Sequence, residues 1–430
     1  MTKILYLVAL VSTILGSIVY HPLIGIIGYI STYNISPLRY WWGSPVPGLK
    51  IHYSLLLAIA IGGGIVFHRS KLKFKNLLNS QEILLVIFIG LIWLSIPMGL
   101  GFNEIESNAV KMTKVMIVLL MATLVITSIK RYETVLWTLI VTGLYLGFEA
   151  YTAPGWMFQG GRLNVGVGGS DFSEGNFLGA HFAMLLPFLG VMFIKGGWKG
   201  KIICLLSGLF VTNGIILCRS RGIFVAILAG ILCAIIFSIA RQRLKIVLGI
   251  AIAVVGAIFL TDPGFWKRME GIDTGVARID ASARGRLLAW EAALTMASDY
   301  PLGVGEGNFK KYIGQYNPEL TGRDTHNSFL RCLAELGVQG TFLLILMIVN
   351  AFWILFELKK EVKSLPNKQD VFWHIYSLRI ALVIYLVAGL FITHTYIEEF
   401  YWLLMYPALL KRSVKNETNV LHIRQTKGHH

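Results

Sequence analysis

The sequence predicts an all-α polytopic membrane protein, and two observations carry that prediction. Hydrophobic residues make up 55% of the 430 positions and charged residues only 14%, whereas a soluble domain is typically about 25% charged. Long apolar runs also recur, as at 82–97, 110–129 and 222–240, and each can cross a hydrocarbon core of ~30 Å. These features exclude a soluble enzyme, a nucleic-acid-binding domain and a secreted disulfide scaffold.

Twelve spans are expected, which makes residues 1–430 a single membrane domain with both termini on one side. The spans are 4–20, 52–67, 82–99, 112–129, 133–149, 176–194, 202–218, 222–240, 245–261, 328–356, 371–393 and 396–410. Short basic turns follow every second span, at 69–75, 130–131, 195–201, 241–245, 359–368 and 411–412. The positive-inside rule therefore predicts that these turns and both termini are cytoplasmic.

The two long segments without span character, 150–175 and 262–327, fall on the outer side. Loops longer than about 15 residues are usually functional or disordered, and the second is too rich in Trp, Phe and Leu for disorder. Residues 282–297 within it have the pattern of an amphipathic helix. The large loop should therefore contain short helices that lie at the membrane–water boundary.

The net charge of +16 includes arginines on the outer side, where the positive-inside rule disfavours them. A guanidinium forms forked contacts with phosphate and carboxylate oxygens. Arg219 and Arg221 stand at the outer end of a tight helical hairpin, either reaching to lipid headgroups or binding an anion, and Arg221 is favoured as the anion ligand. The other outer candidates for binding a diphosphate or substrate are Arg162, Arg284, Arg286 and Arg323.

Arg286 and Trp290 are four residues apart and share one face of the predicted helix. Arg286 either covers the Trp290 ring at the surface or binds the anion. The glycines at 303, 305 and 307 are interpreted as turn glycines, because no strand precedes them as a dinucleotide loop requires.

His326 stands where the large loop enters the span that begins near Phe329. A neutral imidazole there can accept a proton from a hydroxyl group, although a structural role or a cap at this helix start is the alternative. Asn327 is a candidate both for capping the helix and for binding substrate. Arg331 and Glu335, four residues apart, are predicted to form a structural ion pair. The four cysteines lack paired spacing, so no disulfide, metal or cofactor is expected.

The order of these motifs resembles the O-antigen ligase and O-antigen polymerase superfamily. The motifs are Ser-Arg-Gly ending at Gly222, Arg-Leu-Leu-Ala-Trp ending at Trp290, Pro-Leu-Gly-Val-Gly-Glu-Gly-Asn-Phe ending at Phe309, and His326-Asn-Ser-Phe-Leu followed by Glu-Leu-Gly-Val-Gln-Gly340. The resemblance extends from about Gly161 to Gly340. Nearer the N-terminus, Tyr20-His-Pro-Leu-Ile-Gly and Pro37-Leu-Arg39 look more like O-glycosylation ligases of bacteria with exosortase systems.

The resemblance implies a multi-pass glycosyltransferase of the bacterial inner membrane, metal-independent and inverting, with 150–175 and 262–327 as periplasmic loops. It would transfer a glycan from an undecaprenyl diphosphate carrier to a hydroxyl of lipid A-core or of another acceptor. By resemblance, Arg221 and Arg286 hold the diphosphate and His326 activates the acceptor. A polymerase that uses a second carrier-linked repeat is the nearest alternative. A transporter is a more distant alternative. Transporters place polar groups near mid-membrane, whereas the polar residues of this sequence gather at one surface.

Overall fold

The computed structural model describes residues 2–40, 52–72, 78–101, 107–164, 166–172, 174–238, 240–270, 281–362 and 368–427. The described residues are predominantly α-helical, with one two-residue β-hairpin, β1 Phe158–Gln159 and β2 Arg162–Leu163. The helices are α1 Thr2–Val19, α2 Leu23–Ile35, α3 Tyr53–Phe67, α4 Ser80–Met98, α5 Asn108–Val125, α6 Ile129–Tyr151, α7 Gly175–Lys195, α8 Trp198–Cys218, α9 Arg221–Phe237, α10 Ala240–Leu260, α11 Pro263–Glu270, α12 Ala281–Asp299, α13 Phe309–Tyr316, α14 Ser328–Glu361, α15 Lys368–Ala388 and α16 Glu398–Lys427.

The helices have the length and composition of membrane spans. Within the described residues, eight helices are long and apolar enough to cross a membrane, and α1, α3 and α9 are shorter apolar helices. A helix that spans lipid satisfies its own backbone groups, so this arrangement suits a hydrocarbon environment. The predicted class, an all-α polytopic membrane protein, is confirmed.

The bundle has two chemically different ends. At one, which we call the basic end, Lys195 Nζ lies 2.5 Å from Glu133 and Lys411 Nζ lies 2.6 Å from Glu357. At the other, the loop end, the N–H of Asn108 donates to Glu306 at 3.0 Å. Lys195 and Lys411 thus lie at the end of the bundle opposite to Glu306 of the large loop, and the placement of the other basic turns stays a prediction.

The N-terminal part differs from the expected arrangement, because α2 is a helix where no span was predicted. The rings of Tyr6 and Tyr53 are 5.5 Å apart and Ser17 Oγ donates to Ala60 O at 3.1 Å, so α1 runs parallel to α3. The intervening α2 returns to the loop end, where Asn34 O accepts from the Gly169 N–H. The start of α1 therefore lies at the loop end. The expectation that both termini share one side is wrong, because the second half of α16 lies at the basic end.

The large loop forms a packed layer at the loop end. The predicted helix over 282–297 is present as α12, and its residues Ala293 and Met296 are buried together with Phe309 and Ile313 of α13. Phe265 of α11 packs separately, in a small cluster with residues of α8 and α9. The layer is therefore built from short helices, as the sequence predicts.

The glycine-rich turn that follows α12 inserts into a kink of α14. At Gly337 the helix has φ 68°, and a Cβ there would lie 2.4 Å from the Leu302 carbonyl carbon. The N–H groups of Val304 and Gly305 donate to the carbonyls of Ala334 and Glu335 in α14, at 2.9 and 3.0 Å. In the other direction, the Val338 N–H donates to Pro301 O at 3.0 Å. The glycines at 303, 305 and 307 all have positive φ, consistent with the interpretation as turn glycines.

Candidate functional site

The turn that carries His326 is held in an uncommon backbone conformation. His326 has φ 48°, a left-handed value that few non-glycine residues adopt. On either side of it, Thr325 Oγ1 donates to Asn327 O at 2.9 Å and accepts from the Asn327 N–H at 3.1 Å. Such strained positions often occur at functional sites, where the surrounding contacts maintain them.

Asn327, the next residue, caps α14. Its Oδ1 accepts from the N–H groups of Phe329 and Leu330, at 3.0 and 3.1 Å. These bonds satisfy two of the N–H groups that every helix start leaves without a helical partner. Asn327, and not His326, therefore caps α14. The oxygen that accepts these two bonds, Oδ1, is the same atom that was a candidate for binding substrate.

α12 brings Arg286 to the His326 turn. Trp290 Nε1 donates to Thr325 O at 3.0 Å, and the half-buried Arg286 lies one helical turn before Trp290. Arg286 is close enough to His326 for its charge to affect the imidazole pKa. By contrast, Arg284 and Arg323 are exposed. Arg323, in the turn before α14, lies beside Gly285 of α12.

The surroundings of His326 favour a neutral imidazole. Burial is the largest effect and lowers the His326 pKa below its ordinary value. The charges of Arg286 and Lys310 lower the pKa further, whereas those of Asp324 and Glu174 raise it, and the net direction is down. A neutral imidazole at neutral pH is able to accept a proton.

The three remaining arginines, 162, 219 and 221, lie around the starts of α7 and α9. Arg162 donates to Asn176 Oδ1 at 3.0 Å. Arg219 follows the last residue of α8 with φ 42°, and its Nη2 donates to both carboxylate oxygens of Asp262, at 2.8 and 2.7 Å. Arg221 is half-buried as the first residue of α9. Because Asp262 engages the Arg219 guanidinium, the two hairpin arginines have different surroundings.

The turn between α15 and α16 joins these regions. Ser328 donates its N–H to Gly389 O and its hydroxyl to Ile392 O, both at 2.8 Å. On the other side, Phe391 packs so closely on Gly222 that a Cβ there would lie 2.6 Å from Cβ of Phe391. The start of α9, with Arg221, and the His326 turn therefore contact one shared segment.

Residues 202–345 match the O-antigen ligase family model. The match confirms the superfamily that the motifs predicted, and it indicates a membrane glycosyltransferase-like enzyme of the O-antigen ligase or polymerase type. The comparison with curated proteins found no match. The ligase domain runs from α8 into α14 and contains Arg221, Arg286 and His326, whereas Arg162 lies outside it.

Asp324, which lies in the matched region, was not predicted as a site residue. Its Oδ2 lies 3.1 Å from Lys310 Nζ and 3.2 Å from Arg331 Nη1, and its Oδ1 accepts from Thr393 Oγ1 at 2.7 Å. The sequence offered one signal for this role, an acidic residue two positions before His326. The partners of Asp324 lie in three separate segments, on α13, on α14 and before α16, so spacing alone could not indicate them. The predicted Arg331–Glu335 pair is present, with Nε and Oε1 2.8 Å apart.

Glu174, immediately before α7, was also overlooked. It is exposed, belongs to the other long loop, and is close enough to His326 to raise the imidazole pKa. Over the described parts of the chain, no three His, Cys, Asp or Glu side chains are grouped so that they could hold a metal ion. The charged groups that shift the His326 pKa are therefore two carboxylates, a lysine and an arginine.

Proposed function

We propose that this chain is a glycosyltransferase of the O-antigen ligase type, inverting and metal-independent. It would move a glycan from an undecaprenyl diphosphate carrier to an acceptor hydroxyl at the periplasmic face of the bacterial inner membrane. One observation carries the proposal: within the matched region, Trp290 Nε1 donates to Thr325 O, next to the half-buried His326, and Arg286 lies one helical turn before Trp290 on α12. An anion ligand and a proton acceptor thus lie at one place.

In the proposed reaction the acceptor oxygen attacks the anomeric carbon of the glycan. His326 takes the hydroxyl proton while the bond from the anomeric carbon to the phosphate oxygen breaks, and the bonding electrons leave with the diphosphate. Attack opposite to the leaving group inverts the anomeric carbon. The half-buried imidazole, whose pKa is lowered, supports the role of base.

The leaving diphosphate gains negative charge as this bond breaks, so cationic groups that hold it more tightly at that point accelerate the reaction. We assign that role to Arg221 and Arg286, since a guanidinium can make two parallel bonds to one phosphate. Arg162 lies near enough to the start of α7 to assist. Arg219, which is already paired with Asp262, would instead hold the hairpin in place.

The membrane orientation in this proposal follows from the charge of the turns. The basic end would face the cytoplasm under the positive-inside rule, which places the loop end and the ligase-domain site in the periplasm. A carrier in the outer leaflet would then present its diphosphate at the level of Arg221, while its polyprenyl tail stays in lipid.

The test is a transfer assay with purified protein. Undecaprenyl-diphosphate glycan is mixed with lipid A-core, with a hydroxyl-bearing peptide, or with no added acceptor, and the products are identified by mass. We expect a glycosylated acceptor, and roughly 10²–10³-fold slower turnover for Arg286→Lys. Arg243→Lys, the same change on α10 near the basic end, should leave turnover unchanged.

Two results would contradict the proposal. Repeats that accumulate while still attached to the carrier would identify a polymerase. Intact donor after incubation with every acceptor, by protein that remains folded, would remove the assignment as a transferase.

A further inference from the structure

The carboxylate of Asp324 has an unusual set of partners for a loop residue next to a reactive group. It contacts a cation on α13, a cation on α14 and the Thr393 hydroxyl from the turn before α16. Thr393 Oγ1 also lies 3.3 Å from Thr325 Oγ1, which itself bonds the backbone at Asn327. Asp324 thus joins three elements directly behind the strained His326 backbone.

The charges in this group almost cancel. Arg331 is paired with both Glu335 and Asp324, and Lys310 is paired with Asp324, so two cations face two carboxylates. Burial alone would raise the Asp324 pKa, but Arg331 and Lys310 outweigh it and hold the pKa well below its usual range. Asp324 is therefore ionised at neutral pH, and its loss would leave an uncompensated positive charge beside the imidazole.

We propose that Asp324 is a positioning residue for His326, which fixes the turn that carries the imidazole and supplies the negative charge that faces it when it takes up the acceptor proton. The inference rests on the proposed function, because it assigns a partner to the base. A cation forming in a site that already contains Arg286 and Lys310 is unfavourable, and a nearby carboxylate stabilises it.

The groups that face His326 from the surrounding elements predict opposite effects for two substitutions. They are Asp324 in its own turn, Arg286 on α12, Lys310 on α13 and Glu174 before α7. Asp324→Asn removes a negative charge, so the imidazole protonates at lower pH. Lys310→Gln removes a positive charge at a half-exposed side chain, so the imidazole protonates at higher pH.

The experiment measures the pH dependence of glycan transfer for these two variants, the wild type and Asp299→Asn. Transfer requires the neutral base and therefore falls on the acid side. We expect the acid limb to move to lower pH in Asp324→Asn and to higher pH in Lys310→Gln, with a roughly ten- to hundredfold lower plateau for Asp324→Asn. Asp299 is an exposed residue that bonds Tyr316, and its variant should leave the limb in place.

A merely structural role of Asp324 would lower thermal stability and leave the acid limb of Asp324→Asn in place, whereas the limb of Lys310→Gln moves in either case because Lys310 acts on the imidazole directly. That result, with an active wild type and an inactive His326→Ala, would overturn the inference and leave the proposed function intact. Full transfer by His326→Ala would instead remove the base itself. If Asp324→Asn fails to fold, Asp324→Glu keeps the test decisive because it retains the negative charge: its acid limb should stay in place while its plateau falls, and a wild-type plateau would overturn the positioning role.

Discussion

The clearest test of the site compares two neighbours, His326 and Asn327, whose substitution should affect different properties. Asn327→Ala removes the acceptor of two N–H groups in the first turn of α14. A helix cap contributes roughly 0.5–2 kcal/mol, and the burial of this side chain places the expected loss of unfolding free energy in the upper half of that range, because the freed donors are shielded from water.

His326→Ala should leave unfolding nearly unchanged. The side chain caps nothing in the described structure, and alanine at φ 48° retains a backbone strain similar to that of the histidine. Turnover per folded molecule should instead fall about 10²–10⁴-fold, the usual contribution of a general base.

Thermal unfolding in detergent and transfer per folded molecule are measured for both variants, with Asn327→Asp as a control that keeps a capping oxygen. Asn327→Asp should regain stability. An active but destabilised His326→Ala variant would refute the assignment of the base, and an Asn327→Ala variant as stable as the wild type would refute the cap.

Four further expectations concern other parts of the molecule. Arg219→Ala removes the bonds from Nη2 to both Asp262 oxygens and should lower stability more than turnover; the reverse outcome, in paired unfolding and transfer measurements, would place Arg219 in the diphosphate site. Gly337→Ala should unfold at lower temperature or fail to accumulate, since a Cβ would meet the Leu302 backbone at 2.4 Å. Wild-type transfer should persist below the ordinary imidazole pKa of ~6.5, because burial keeps the His326 pKa low; an acid limb above that value would contradict this. An epitope at the N-terminus should be accessible outside intact cells and one at the C-terminus should not, whereas equal accessibility would contradict the α1–α3 arrangement.

Much of the fold followed from the sequence because membrane helices carry long, local signals. α4, α5 and α14 are apolar over a full bilayer thickness, and the basic turns fixed their alternation. The short α2 gave no such signal. It is 13 residues long, includes Ser, Thr and Asn, and buries Tyr29 and Asn34 against other helices, so it needs no apolar surface of span length.

The site was likewise predictable only where its residues stand in local motifs. Arg286 and His326 stand in local motifs, and the structure brings them together. Asp324 depends on Lys310, Arg331 and Thr393, which approach only after α13, α14 and the α15–α16 turn have packed. The pairing of Arg219 with Asp262 is similarly non-local, and for that reason spacing did not indicate it.

The insertion of the glycine-rich turn into α14 has a mechanical consequence. Two carbonyls of α14, at Ala334 and Glu335, receive hydrogen bonds from the turn. Withdrawing the turn would take these donors from two buried residues, at about 1–3 kcal/mol for each buried acceptor left unsatisfied. Any movement of the layer built from α12 and α13 away from α14 would have to break these backbone hydrogen bonds, so the layer is fixed to the bundle at this point.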